Sequence, residues 1–391
     1  MARKRKNLRK KQKEEYFFDY TLLFIVLFLL GFGLVMLYST SSYEAALDFN
    51  GDSAYYLKKQ LFSTALGIVA MIVIAFIDYH VWKRFAFIGY IASAVLIIMV
   101  LSPLGIEKNG ARRWLNLGIS LQPAEVAKLA IILFMAVFIC KMGKMIKTLK
   151  GFLTVLAVPI PIAGMIYVIT DNLSSAIIVM GIGVVMLFVA SPDYKLFIGF
   201  TVTVVLAASA YVFTVVQSAA NGSKTGGFRG NRILAWLHPE GYASDTGFQT
   251  LQALYAIGSG KIVGKGLGQS MQKLGFLPEA QNDMIFSIIC EELGLFGAFC
   301  VIMLFIMLLW RCMTIANNAD DLFGSLLVIG VMGHFAIQVI LNIAVVTNTI
   351  PNTGITLPFI SYGGSSVLFL LSEIGLVLSV SRKIKLRDSN L

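Results

Sequence analysis

The chain has 391 residues, of which 57% are hydrophobic and only 14% charged, and its formal net charge is +11. Its mean hydropathy is +0.80. Soluble domains are about 25% charged and ~45–50% apolar. This composition therefore excludes a disordered chain and argues against a water-soluble enzyme. At ~20 residues per crossing, about ten crossings would occupy half the chain. The excess of Lys and Arg fits membrane topology better than a nucleic-acid partner, and no nucleic acid is expected. Cys140, Cys290, Cys300 and Cys312 fall in or beside apolar runs without metal-ligand spacing and read as free thiols.

Ten apolar stretches follow in chain order, at roughly 17–39, 60–78, 85–103, 122–141, 151–170, 174–191, 196–216, 284–311, 322–346 and 356–381. They predict an all-α polytopic membrane protein, a single domain over 17–381. It is a bundle of about ten transmembrane helices with a large extracytoplasmic loop at 217–283. Basic tails precede and follow it, at 1–16 and 382–391. The first stretch is too long for a signal-peptide core of ~7–15 residues and reads as a retained helix.

Placing the N-terminus in the cytoplasm puts twenty of the 32 basic residues inside. These are eight in residues 1–13, Lys83, Arg84, Lys141, Lys144, Lys147, Lys150, Lys195, Arg311, Arg382, Lys383, Lys385 and Arg387. The rule that Lys and Arg gather on the cytoplasmic side is obeyed, and an even helix count returns the C-terminus there. The remaining basic residues concentrate in 104–128 and 217–283. A loop as long as 217–283 is unusual unless functional. Within it, Thr246 to Ile257 has the pattern of a short interfacial helix.

Ionisable groups in or at the mouth of membrane helices are costly and are functional candidates by default. Arg112 and Arg113 precede Gln122-Pro-Ala-Glu-Val-Ala-Lys128. Pro123 suits a first helical turn, and Glu125 and Lys128 lie three apart on one face. The group reads either as a capped helix with a structural ion pair or as an anion site. In the second case the guanidinium forks would bind a diphosphate and Glu125 would orient Lys128. Asp171-Asn-Leu-Ser-Ser175 reads as a turn with an N-cap. The glycine-rich Gly258–Gly268 lacks the spacing of a nucleotide-binding loop. It suits bent backbone that brings basic residues such as Lys265 toward a lipid phosphate.

Asp283 stands just before an apolar helix, as an N-cap or as a general base at the membrane boundary. Partial desolvation there would raise its pKa and nearby cations would lower it. Glu291 and Glu292 read as network residues. His334, Gln338 and Asn342 form a polar stripe suited to interhelical hydrogen bonds. Pro358, Gly363 and Gly364 interrupt the last stretch, which suggests a wall of a polar cavity.

These residues, taken together, resemble a known family. The matches are Asn109-Gly-Ala-Arg-Arg-Trp114, Gln122-Pro-x-Glu125-x-x-Lys128, Gly264-Lys-Gly-Leu-Gly268, Leu277-Pro-Glu-Ala280 with Asp283, Glu291-Glu-Leu-Gly294 and Leu357-Pro-Phe-Ile-Ser-Tyr-Gly-Gly-Ser-Ser366. In that order, across roughly 20–380, they resemble the SEDS family of FtsW, RodA and SpoVE proteins, FtsW being the nearest type. The resemblance implies peptidoglycan glycosyltransfer from lipid II at the outer face of the bacterial cytoplasmic membrane. It places the catalytic aspartate at Asp283. Substrate-binding positions are expected at Arg112, Arg113, Glu125, Lys128, Arg229, Arg232, Lys265 and Glu279.

A divalent cation, Mg or Mn, is expected, with ligands not assignable from the sequence. Expected partners are lipid II and polyprenyl-diphosphate-linked glycan, a class B penicillin-binding protein, and divisome or sporulation membrane proteins. Two departures stand out. Gln281-Asn282 replaces the family's His-Thr, and Asp171-Asn-Leu-Ser-Ser175 replaces Pro-Asp-Leu-Gly-Thr. A flippase for a lipid-linked precursor is the alternative function. It would need polar residues at both faces, whereas the unexplained charge here gathers on one. A scaffold role would leave Lys128 and Asp283 without a purpose.

Overall fold

The computed structural model describes residues 18–384, apart from 109, 117, 119, 192–193, 221–226 and 245–246. The basic tail at 1–16 and most of the tail at 382–391 lie outside the described residues, as do Asn109, Thr246 and the side chain of Arg229.

Among the described residues ten helical spans are long and apolar enough to cross a membrane. They are α1 (Tyr20–Asp48), α2 (Tyr55–Phe76), α3 (Tyr79–Met99), α4 (Pro123–Met142), the pair α5 (Leu149–Ala157) and α6 (Ile160–Ile169), α7 (Leu173–Ala190), α8 (Tyr194–Ala220), α11 (Ile285–Asn317), α12 (Leu322–Val346) and α13 (Gly364–Ser381). Pro159 divides α5 from α6, since a ring nitrogen cannot donate to the helical ladder. Between α8 and α11 lie α9 (Gly227–Leu237) and α10 (Phe248–Gly260). The second of these is the short helix expected near 246–257.

Burial ranks the spans. Within their most apolar windows α13 is 72% buried and α12 67%, whereas α8 is 6% buried and stands at the edge of the bundle. These two central helices carry the buried His334, Gln338, Asn342 and Glu373, and the rest shield them from lipid. Small residues let α13 close on α2. A Cβ at Gly375 would lie 2.7 Å from the Met71 carbonyl oxygen, and one at Gly67 would lie 2.7 Å from a Leu371 methyl. Close backbone approach of this kind drives helix association where lipid offers no hydrophobic gain.

Three elements differ from the sequence expectation. The segment after α3, to which the apolar pattern assigned no element, is a small antiparallel sheet of β1 (Gly105–Lys108), β2 (Ala111–Asn116) and β3 (Ser120–Leu121), in the order β1-β2-β3. Its first turn uses Gly110 at φ +74°, a conformation glycine adopts without strain. The first span continues to Asp48 rather than ending near 39, because Ser39, Thr40 and Ser41 are buried against the protein. The last span begins at Gly364 rather than 356, and residues 351–363 are irregular.

The break in α11 is answered by the loop after α10. Gly294 adopts φ +69°, ψ −170° inside the helix and interrupts its ladder. The carbonyls of Glu291 and Glu292 accept from Lys265 N (3.0 Å) and Gly266 N (2.9 Å), while Leu295 N and Phe296 N donate to Lys261 O (2.9 Å) and Ile262 O (3.1 Å). Non-helical backbone near the membrane is tolerable only with such partners. The two carboxylates are paired as well. Glu291 binds Lys265 Nζ at 2.6 Å, and Glu292 binds Lys273 Nζ at 2.7 Å and Ser39 Oγ at 2.8 Å. They are network residues, as expected.

The opposite end of the bundle, near the chain termini, is clasped by ion pairs. Asp19, fully buried, caps α1 and binds Arg311 Nη2 at 2.5 Å. Asp78 binds His80 Nδ1 at 2.8 Å and Lys383 Nζ at 2.9 Å, and His80 Nε2 lies 3.2 Å from Asp321. The cysteines are free thiols.

Candidate active site

The irregular segment between α12 and α13 organises the other end of the bundle, because its backbone cannot satisfy itself and takes partners from most of the bundle. Asn352 O accepts from Arg232 Nη1 on α9 at 3.0 Å. Thr353 O accepts from Ser174 Oγ on α7. Ile355 O and Thr356 O accept from Asn342 and Gln338 on α12 at 2.6 and 3.0 Å. Tyr362 N donates to Gln281 O at 2.9 Å, and Gly363 N donates to Gln60 Oε1 on α2 at 3.2 Å. The stripe on α12 thus holds this segment rather than bridging helices, except at His334. That residue pairs with Glu373 on α13 at 2.8 Å.

Asp283 sits beneath this segment and is 7% exposed. It is not a helix cap. Met284 holds the N-cap position of α11, with no side-chain cap bond. The backbone carbonyl of Asp283 is pinned by Asn342 Nδ2 at 2.8 Å. Across from it, a Cβ at Gly354 would lie 3.8 Å from Asp283 Oδ2. Glycine there brings bare backbone up to the carboxylate and adopts the φ of +69° without strain. A tight turn leads into the site. Glu279 has φ +56°, its carbonyl accepts from Asn282 N (3.0 Å) and Met284 N (3.4 Å), and its carboxylate accepts from Asn282 Nδ2. Burial, reinforced by the negative charge of Glu279, pushes the Asp283 carboxyl up to about 7 against the pull of Arg232. A carboxylate so placed can take a proton near neutral pH.

The other expected residues divide between this site and its supports. Glu125 and Lys128 form a buried pair at 2.8 Å, with Lys128 2% exposed. Glu125 Oε2 also accepts from Ser366 Oγ on α13 at 3.3 Å, so the pair braces the helix that follows the irregular segment. Arg112 and Arg113 point to different partners because they alternate along β2. Arg112 is exposed and lies 3.5 Å from Glu107. Arg113 donates to Thr170 O (3.2 Å) and Asp171 O (2.9 Å), closing the turn before α7 rather than presenting a free fork. Asn172 caps α7 through Ser175 N at 3.0 Å, as the turn reading expected. Arg232 comes to the site, and its charge is felt at Asp283. Lys265 does not reach toward it: its ammonium is committed to Glu291. Arg229 lies in α9.

Several residues of this end escaped sequence reasoning. Gln60, Asn348 and Asn352 are single polar residues with no motif around them, and Gln249 showed only as a residue off the apolar face of the short interfacial helix. Glu373 carried a signal, a carboxylate within an apolar stretch, and its partner His334 had already been singled out. Among the described residues no group of three or more His, Cys, Asp and Glu is arranged to hold a metal by itself.

Comparison with known proteins agrees with this architecture. The family model FtsW/RodA/SpoVE, described as cell cycle protein, matches residues 20–386. Stage V sporulation protein E of Bacillus subtilis is 39% identical over 369 residues, covering 93% of this chain and 97% of the relative. A probable peptidoglycan glycosyltransferase FtsW of Trichlorobacter lovleyi is 40% identical over 372 residues, covering 94% of each. A solved structure described as showing the structural coordination of polymerization and crosslinking by a peptidoglycan synthase complex superposes with a TM-score of 0.75 at 28% identity, over 94% of this chain and 98% of the other. With its six motifs in order and a match over nearly its whole length, the chain belongs to the FtsW/RodA/SpoVE family.

Proposed function

We propose that this chain is a peptidoglycan glycosyltransferase that polymerises lipid II, with Asp283 as its general base. The observation that carries the reading is the buried carboxylate at the bundle end, pushed up to about 7 and facing the side-chain-free backbone of Gly354. The acceptor is a sugar hydroxyl and the donor a sugar on a polyprenyl diphosphate. Asp283 takes the hydroxyl proton as the oxygen attacks the anomeric carbon. The bond to the diphosphate breaks, the diphosphate leaves, and the single displacement inverts the anomeric centre. General base catalysis is typically worth ~10²–10⁴-fold.

Arg112, exposed beside the site end, and Arg232 are the cations suited to the departing diphosphate. Lys128 and Glu125 act by bracing α13. A divalent cation, Mg or Mn, would add positive charge at the diphosphate. It would be held mainly by the diphosphate oxygens and water, as such ions often are at phosphate sites. Both termini face the cytoplasm on this reading, and the site faces outward, following the distribution of Lys and Arg. A class B penicillin-binding protein and membrane proteins of division or sporulation are the proposed partners. The names of the relatives and the synthase-complex structure support them.

The test is reconstitution of the purified chain in vesicles with fluorescent lipid II, with and without the transpeptidase. Glycan strands longer than the substrate are expected. Transbilayer movement of lipid II with no polymer would replace this reading with the flippase.

A further inference from the structure

Asp283 lies between two stretches of backbone, its own loop from Pro278 and the facing residues 352–354. One side chain spans the two. Gln249, at the start of α10, donates from Nε2 to Pro278 O at 3.2 Å, and its Oε1 accepts from Asn352 Nδ2 at 2.8 Å. Asn352 in turn shapes the facing stretch, since its Oδ1 accepts from Gly354 N at 3.0 Å. This is the side-chain turn that short amides make with backbone two residues on. The glycine so fixed is the residue facing the Asp283 carboxylate.

Helix α9 holds the same stretch from a second direction. Arg232 and Trp236 lie four apart and hence on one helical face. They donate to Asn352 O and Asn348 O, each at 3.0 Å, and Asn348 Nδ2 returns a bond to Trp236 O at 3.3 Å. Neither Gln249 nor Asn352 belongs to a motif, and neither serves the apolar packing of the bundle.

We infer that Gln249 and Asn352 are positioning residues for the reaction: their bridge sets the gap between the Asp283 loop and Gly354, and so the placement of the base against the acceptor hydroxyl. The inference rests on the reading of Asp283 as the base. It also makes the outer layer of α9 and α10 a handle on the site, because displacement of either helix reaches Asp283 through Asn352.

The test compares Gln249→Met, Asn352→Leu and the double variant in lipid II polymerisation by the full-length chain, with Asp283→Asn as reference. A misplacement on the 1 Å scale can cost up to about 10²-fold. The expected result is a ~10- to 100-fold fall in kcat with KM for lipid II within about twofold. The activity inflection should also move to lower pH, as water reaches the carboxylate. The double variant should be no worse than the poorer single one, because both break one bridge. Gln249 is partly exposed on an outer helix, so Gln249→Met keeps the test available if Asn352→Leu does not fold. Wild-type kcat and pH profile in Gln249→Met, with Asp283→Asn inactive, would overturn the inference alone. Multiplicative losses in the double variant would also overturn it. Activity retained in Asp283→Asn would overturn the base assignment and the inference with it.

Discussion

The raised pKa of Asp283 makes a quantitative prediction for activity against pH. A base must be ionised, and with a pKa of about 7 only about one tenth of the molecules carry the ionised form at pH 6. Half do at pH 7 and about nine tenths at pH 8. The polymerisation rate, kcat/KM, should therefore rise about fivefold from pH 6 to 7, less than twofold from 7 to 8, and then level off. An ordinary aspartate would give a flat profile across this range. Glu279→Gln removes the negative neighbour and should move the inflection to lower pH, whereas Arg232→Met removes the opposing cation and should move it up.

The same shift bears on stability. The folded-state pKa lies above the unfolded value of 3.8, so the protonated form favours folding. That contribution is fully present below about pH 4 and is lost as pH rises to about 7, by roughly 4 kcal/mol at ~1.4 kcal/mol per unit. Asp283→Asn should then unfold at a higher temperature than wild type at pH 8, while their difference shrinks toward pH 4. The assay is strand formation from fluorescent lipid II in buffers of constant ionic strength, paired with thermal unfolding in the same detergent. A rate that is flat between pH 6 and 8, or an inflection unmoved by both neighbour substitutions, would refute the reasoning.

Three further outcomes follow from the supports of the site. Lys128→Met should destabilise the chain by about 3–5 kcal/mol because it strands the buried Glu125 carboxylate, and pairing it with Glu125→Gln should recover much of the loss; thermal unfolding of the three variants checks this. Gly294→Ala should abolish folded yield in size-exclusion chromatography, since a Cβ there would lie 2.4 Å from Gly264 N and Ile262 O at a positive φ; Gly31→Ala, with open space around it, should be neutral. Chelation of divalent cations should lower strand formation, with Mg or Mn restoring it; activity unchanged in chelator would remove the cation from the scheme.

The spans were legible because a bilayer demands ~20 apolar residues in succession and few other structures do. What the sequence obscured has two physical causes. Polar residues that pair inside the protein look like helix ends. Ser39 to Ser41 concealed the last turns of α1: Ser39 finds Lys273 and Glu292 more than two hundred residues away, and Thr40 and Ser41 turn their hydroxyls back onto Leu37 O. The sheet at 105–121 was also readable in part, since Asn109-Gly110 is a hairpin signal, but its strands are short and one has two residues. At the site, Asp283 announced itself as an acid before an apolar helix, and the motifs placed Glu125 and Lys128 at the same end. Their difference in role was not legible. The i,i+3 spacing offered the Glu125–Lys128 pair, but whether a Lys faces substrate or a distant carboxylate depends on what the fold brings opposite, as with Lys265 on Glu291. Gln249 and Asn352 were invisible for the same reason, being ordinary amides until the two backbones around Asp283 come together.

The central claim is that Asp283 takes the acceptor proton. Its most direct test is strand formation by Asp283→Asn, measured beside lipid II binding and thermal unfolding of the same preparation. The account predicts a variant that folds, binds lipid II with wild-type affinity, and loses ~10²–10⁴-fold in polymerisation. Polymerisation at the wild-type rate in that folded, lipid-II-binding variant would contradict it.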